Sequence, residues 1–242
     1  PHRHRADLLA QVQAAYDAAN EQTKFGQPLP TAPNLDYDAN GNLLQEKDGA
    51  GVVIRQYEWD ARNRLTRITG DTSAEFVYDP LGRRVSKTIT GVTTRYLYAG
   101  SDIVQELGDS AIGATYLRSV SIDEPFVRQT ATGNEFYHTD ALGSTLDLTN
   151  QTGAVQASYQ YEAFGKTTMT GASSNPFQYT GRENDGTGLY YYRARYLNPL
   201  TGRFVQQDPI GFAGGDLNVY AYTYNNPILF RDELGLQATC VY

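Results

Sequence analysis

From Leu35 onward, short runs in which apolar and polar residues alternate are separated by clusters of Asp, Asn, Gly and Pro. Alternation with a period of two predicts half-buried strands, and the clusters predict the turns between them. Tyr37-Asp38-Ala39-Asn40-Gly41-Asn42-Leu43 is followed by Trp59-Asp60-Ala61-Arg62-Asn63-Arg64-Leu65, then by Tyr78-Asp79-Pro80-Leu81-Gly82-Arg83-Arg84; the aromatic positions lie 22 and 19 residues apart. That period suits one hairpin per unit. In Asp79-Pro80-Leu81-Gly82 the Asp side chain accepts backbone N–H bonds, Pro presets φ and Gly takes a left-handed conformation, the combination a type I turn prefers. Asn63 replaces Gly in the second unit, the next-best residue at positive φ. The aromatic before each turn closes a strand and packs on neighbouring rungs. A ribbon of such hairpins buries its faces only by stacking on more of itself.

The same acid-x-x-Gly spacing returns at Asp140, Glu162, Asp208 and Asp232. Leu189 to Leu197 (LYYYRARYL) reads as one strand, with Tyr191, Arg193 and Arg195 on one face and Tyr190, Tyr192, Ala194 and Tyr196 on the other. One stretch reads as helix: Arg5–Asn20 is rich in Ala, Leu and Gln, with Leu8, Val12, Tyr16 and Ala19 on a narrow stripe. Gly26–Pro33 holds three prolines and reads as a linker. The expected fold class is all-β, with one short N-terminal helix.

Composition sharpens this picture. The chain has 242 residues, a net charge of −7, 40% hydrophobic and 19% charged residues, an ordinary globular balance. Nineteen Tyr with 23 Gly and 10 Pro fit many short strands whose rings stack across a sheet. The single Cys240 excludes an intramolecular disulfide framework and a cysteine-built zinc site. His2 and His4 in a terminus make a poor metal site and His138 reads as a strand histidine, so neither metal nor cofactor is expected. The acidic balance with no basic run argues against nucleic acid as a partner. No window of 18 apolar residues occurs, so no membrane span is expected, and the basic start Pro1–Arg5 lacks the apolar region of a signal peptide.

The Tyr/Trp-Asp units, followed in order by YHTDALGS, GLYYYRARYLNPLTGRFVQQDPIG and NVYAYTYNNPILFRDELGL, resemble a YD-repeat (RHS-repeat) protein ending in its RHS repeat-associated core domain. The likeness covers roughly residues 35–236. It implies a spiralling sheet of stacked antiparallel hairpins that forms a hollow shell, with a core domain curling inward as a plug. The implied division is 1–33 for the helix and linker, 34–130 for YD-repeat hairpins, 131–236 for the core domain and 237–242 for a residual tail. The family includes bacterial polymorphic toxins, C components of ABC insecticidal toxin complexes and teneurins. Its implied partners are the rest of a shell, or a second shell-forming chain, and an enclosed C-terminal toxin; export by a specialised secretion system is implied as well. Six residues after the family's cut site are too few for such a toxin.

The core domain of bacterial members resembles an aspartic autoprotease that cuts after a terminal DPxGL motif. The resemblance places the cut between Leu236 and Gln237, with Asp208 and Asp232 as the acids and Arg195 as their arginine. Hydrolysis by carboxylates needs one acid ionised and one protonated, and an arginine holds one ionised or positions the scissile carbonyl. The bland reading is that Asp208 and Asp232 are turn aspartates like Asp38 or Asp79, and that Arg195, Arg193 and Arg203 are structural. One position departs from the motif: Glu233 stands where the family has Pro, which loosens the turn and is expected to add a like charge that raises the pair's pKa values. The competing function is a non-catalytic structural or surface-interaction module of the teneurin or adhesin kind.

Overall fold

The computed structural model describes residues 13–26 and 34–241. Sixteen strands, from Gln13–Tyr16 to Thr167–Gly171, form one antiparallel sheet in strict chain order. Alternation sets the faces: in Ala74–Tyr78, Ala74 and Phe76 are buried while Glu75 and Val77 are exposed. The sheet passes 130/131 without a break, Thr130 pairing with Gly133.

The repeated turns share one wiring. Asp60 N–H donates to Arg64 O (3.0 Å), Asn63 N–H donates back to Asp60 O (2.9 Å), and Asp60 Oδ1 accepts from Arg62 N–H (2.8 Å) and Arg64 N–H (3.0 Å). The fourth turn position lies at positive φ, +56° for Asn63 and +88° for Gly82. The aromatic residue before the turn sits at a register shift, at Glu58/Trp59 and at Val77/Tyr78. Such a shift frees ladder carbonyls, and the next unit's aromatic takes one. Trp59 Nε1 donates to Leu43 O (2.8 Å), and the hydroxyls of Tyr78, Tyr98 and Tyr161 donate to Leu65 O (2.7 Å), Arg84 O (2.8 Å) and Thr145 O (2.6 Å). Each acceptor is the first residue of a return strand. Tyrosine is abundant because one residue supplies both the packed ring and the donor.

The expected helix is corrected. Residues Gln13–Tyr16 and Gln22–Gly26 form a hairpin joined through Asp17, and no α-helix occurs among the described residues. Tyr16-Asp17-Ala18-Ala19-Asn20 is a further turn of the series: Asp17 Oδ1 accepts from Ala19 and Glu21 N–H, and Asn20 sits at φ +64°. Side-chain capture of the backbone, together with strand pairing, outweighs the helix propensity of the alanines. The rest of the expected helix, and the linker beyond Gly26, lie outside the described residues.

After Gly171 the chain leaves the sheet and forms a small second sheet, Glu183–Asn184, Tyr190–Tyr192, Arg195–Asn198 and Arg203–Phe204. The single strand expected over Leu189–Leu197 is instead a tight hairpin: Tyr192 pairs with Arg195, and Arg193 turns the chain at φ +57°. Arg193 and Arg195 therefore do not share a strand face.

The large sheet curls around this plug. Leu43, opening the fourth strand, donates its N–H to Val205 O (2.8 Å), and Phe164, after the fifteenth strand, packs on Gly202. Eleven flat steps of about 4.8 Å would separate those shell residues by roughly 50 Å, yet their partners are only three residues apart along the chain. Shell residues Leu43, Tyr57, Leu65, Ile68 and Phe76 share one core with plug residues Leu189, Tyr191, Tyr196 and Val205. A buried ionic bolt crosses the same boundary. Arg84 of the shell, 0% exposed, binds Glu183 (2.5 Å) and Asp185 of the plug, with Lys87 on Asp185 (3.0 Å) and the Tyr191 ring 4.0 Å from the guanidinium. Burial pushes Asp185 up, but Arg84 and Lys87 more than reverse it and hold its carboxyl below the usual carboxylate range. Asp185→Ala leaves Arg84 buried without its main partner and should cost about 3–5 kcal/mol. Urea denaturation measures this, and a loss below about 1 kcal/mol would show that the bolt is solvated.

Candidate functional site

Three distant segments bring their charges together behind the plug sheet. Arg195 opens the strand Arg195–Asn198, Asp208 follows the strand Arg203–Phe204, and Asp232 follows Phe230–Arg231. Arg195 Nη2 lies 2.9 Å from Asp208 Oδ2 and 3.2 Å from Asp232 Oδ2, with all three side chains at most 6% exposed. The guanidinium rests 3.7 Å from the Phe204 ring centroid, and its Nη1 donates to Val219 O (3.1 Å). Asp208 is additionally fixed by the Ile210 N–H on its Oδ1 (2.9 Å).

The terminal turn is held carbonyl by carbonyl. Glu233 O accepts from the Arg193 guanidinium, Leu234 O from Ala194 N–H (3.1 Å) and Gly235 O from Arg195 Nε (2.6 Å). Arg195 was expected to reach the Leu236 carbonyl; it takes the carbonyl one residue earlier. Gly235 has no substitute: its φ is +70°, and a β-carbon would lie 2.2 Å from Tyr192 O.

Asp232 differs from the hairpin aspartates. They accept the N–H groups two and four residues on; Asp232 Oδ1 accepts those four and five on, Leu236 N–H (3.0 Å) and Gln237 N–H (3.3 Å). Its carboxylate thus lies against the Leu236–Gln237 peptide. On the other side, a β-carbon on Gly214 would meet both Asp208 Oδ2 (2.7 Å) and Leu236 O (2.8 Å), so Asp208 and the Leu236 carbonyl face one small gap. Arg195, Asp208, Asp232, Gly214, Leu236 and Gln237 line a cavity of ≈ 20 Å³, room for a single water molecule. Asp216 and Asn218 also line it. Gly214 escaped the sequence reading, although the pair Gly214-Gly215 so near Asp208 was the available signal; Arg193 was read as structural, with nothing in its spacing to tie it to Glu233.

Glu233 itself turns outward to Arg231 (2.5 Å). It is absent from the groups that move Asp208. There burial raises the carboxyl above its ordinary range and Asp232 adds to the rise, against the pull of Arg195 and the Ile210 N–H. The expected like-charge effect of Glu233 is not what raises Asp208. Burial also lowers Arg195, opposed by Asp208 and Asp232.

The raised carboxyl has a stability signature. A folded-state pKa above the unfolded value means that the native state binds the proton more tightly. Its stabilising contribution is complete below the unfolded Asp value of about 3.9 and is lost as pH rises through the folded value. Asp208→Asn should remove that decline, so the variant's stability relative to the parent should rise from pH 3 toward pH 7, read by urea denaturation across that range; a pH-independent difference would place Asp208 in an ordinary ionised state.

The family model described as RHS Repeat matches residues 37–75. The tRNA3(Ser)-specific nuclease WapA of Bacillus spizizenii is 34% identical over 240 residues, covering 93% of this chain and 10% of that protein. Double-stranded DNA deaminase toxin A of Burkholderia cenocepacia is 30% identical over 241 residues, 84% of this chain and 17% of the toxin. Toxin subunit YenC1 of Yersinia entomophaga is 28% identical over 244 residues, 95% of this chain and 24% of the subunit. The chain thus spans a tenth to a quarter of these relatives. Among solved structures, a TcdB2-TccC3-Cdc42 complex superposes with a TM-score of 0.63 at 19% identity, covering 93% of this chain and 15% of that one. With the YD turns, the curled sheet and the inward plug, these likenesses establish that the chain belongs to the RHS-repeat family.

Proposed function

We propose that this segment is the closing part of an RHS shell and that it cuts its own chain between Leu236 and Gln237, detaching whatever the shell encloses beyond that bond. The observation that carries the reading is the convergence on one peptide: Asp232 Oδ1 accepts the Gln237 N–H, and Asp208 Oδ2 shares a gap with the Leu236 carbonyl. In the proposed step a water molecule in the small cavity adds its oxygen to the Leu236 carbonyl carbon and passes a proton to ionised Asp232. Asp208, whose protonated form burial favours, gives its proton to the carbonyl oxygen. As the tetrahedral carbon collapses, Asp208 recovers its proton, Asp232 protonates the Gln237 nitrogen and the C–N bond breaks. Arg195 holds both carboxyls and the preceding carbonyl in place. Relatives with names as unlike as tRNA nuclease and DNA deaminase toxin align with this same stretch. That supports a shared shell and plug serving different cargoes. The partners under this reading are further shell, a second shell-forming chain and a C-terminal toxin, and the pathway is export.

Glu233 in place of the family's proline favours a second reading, a non-catalytic structural or surface-interaction module built on the same fold. Intact-mass measurement at pH 4–8 separates the two. The parent chain should lose Gln237–Tyr242 slowly, Glu233→Pro should speed the loss by fixing φ in the turn, and Asp208→Asn in that background should abolish it. Cleavage of the proline variant undiminished by Asp208→Asn would sink the aspartic mechanism, and an intact proline variant would favour the module.

A further inference from the structure

The terminal turn is anchored from two directions. Every hydrogen bond and ion pair of residues 232–237 among the described residues goes to Arg193, Ala194, Arg195, Arg231 or within the turn itself. Of these partners only Arg193 also bonds the shell. Its guanidinium, while donating to Glu233 O, reaches Asp123 (2.7 Å), Asp102 (3.1 Å) and Ser101 O (3.3 Å). Asp102 opens the shell strand Asp102–Leu107, and Asp123 lies in the turn before Pro125–Thr130. Nearby, shell and plug are held apart by a cavity of ≈ 510 Å³, lined by Asn63, Leu81 and Tyr98 on one side and Ala194, Leu234 and Leu236 on the other. Arg193 bridges the two at its edge, and it does so from a left-handed conformation (φ +57°) that a non-glycine residue adopts only at a cost.

We propose that Arg193 is a positioning residue that makes the geometry of the Leu236–Gln237 peptide depend on the shell wall, so that the turn reaches its cleavage-ready form only once the strand opened by Asp102 and the turn holding Asp123 have closed over the plug. This deepens the self-cleavage reading and rests on it for its consequence. A chain with its shell incompletely folded would keep Glu233 O unheld, and the carboxylates would address a mobile peptide. Cutting would then follow closure and not precede it, which is the order an enclosing protein needs.

The test uses the whole chain, with Asp102→Asn on the shell side and Arg193→Asn on the plug side; asparagine tolerates the left-handed conformation. Hydrogen exchange of the Leu236 and Gln237 amides is followed beside cleavage in the Glu233→Pro background. Each variant should speed exchange of those two amides and slow cleavage, by about tenfold or more, while the Tyr196 and Leu197 amides of the plug sheet stay protected. The double variant should behave as Arg193→Asn alone, because Asp102 acts through Arg193. Rescue should follow Arg193→Lys in part, since one ammonium reaches fewer of the four acceptors. Unchanged Leu236 and Gln237 exchange in both single variants would overturn the proposal, as would multiplying effects in the double variant. Faster exchange without any cleavage, even in the Glu233→Pro background, would leave the positioning role standing and remove the self-cleavage reading instead.

Discussion

A sixteen-stranded sheet with one apolar face is unstable in water until that face is covered, and here the cover is the chain's own C-terminal third. Tyr57, Leu65, Ile68 and Phe76 on the shell side and Tyr191, Tyr196 and Val205 on the plug side bury against one another. Covering the face forces curvature, because a short plug must touch strands that a flat sheet would hold far apart. The aromatic-to-carbonyl bonds between successive hairpins let the ribbon bend without abandoning backbone polar groups, since the carbonyls freed at Leu43, Leu65 and Arg84 are taken by the aromatic of the next unit.

Burial of the plug sets the electrostatics of the candidate site. Arg195, Asp208 and Asp232 would be ordinary on a surface; inside the plug, one carboxyl is raised by desolvation while the arginine holds both close. The peptide the two carboxyls face cannot drift, because the residues Arg193, Ala194 and Arg195 grip three consecutive carbonyls. The same tight hairpin that makes this grip possible rules out a straight strand, since only a reversal at Arg193 brings successive residues 193–195 against one passing segment.

The plug and shell meet through two kinds of contact with different consequences. The Arg84, Asp185 and Glu183 bolt is buried and fixes where the plug sits. The Arg193, Asp102 and Asp123 cluster is reached by the terminal turn as well, and it joins the placement of the plug to the placement of one peptide.

Much of this was written in local sequence. The Asp-x-x-Gly or Asp-x-x-Asn spacing determined the hairpins, because a short side chain that captures backbone N–H groups and a residue tolerant of positive φ act within five residues of each other. The motif order pointed to Arg195, Asp208 and Asp232, and to the peptide after Leu236. Alanine-rich Tyr16-Asp17-Ala18-Ala19-Asn20 misled a reading by helix propensity, yet its Asp and Asn already carried the turn signal. What tertiary structure alone decided depends on residues distant in the chain. The break at Arg193 follows from carboxylates about 70 and 90 residues away. The need for glycine at 214 follows from Asp208 and Leu236 closing on it. No periodicity encodes such meetings, because they exist only after the sheet has curled and the plug has gone in.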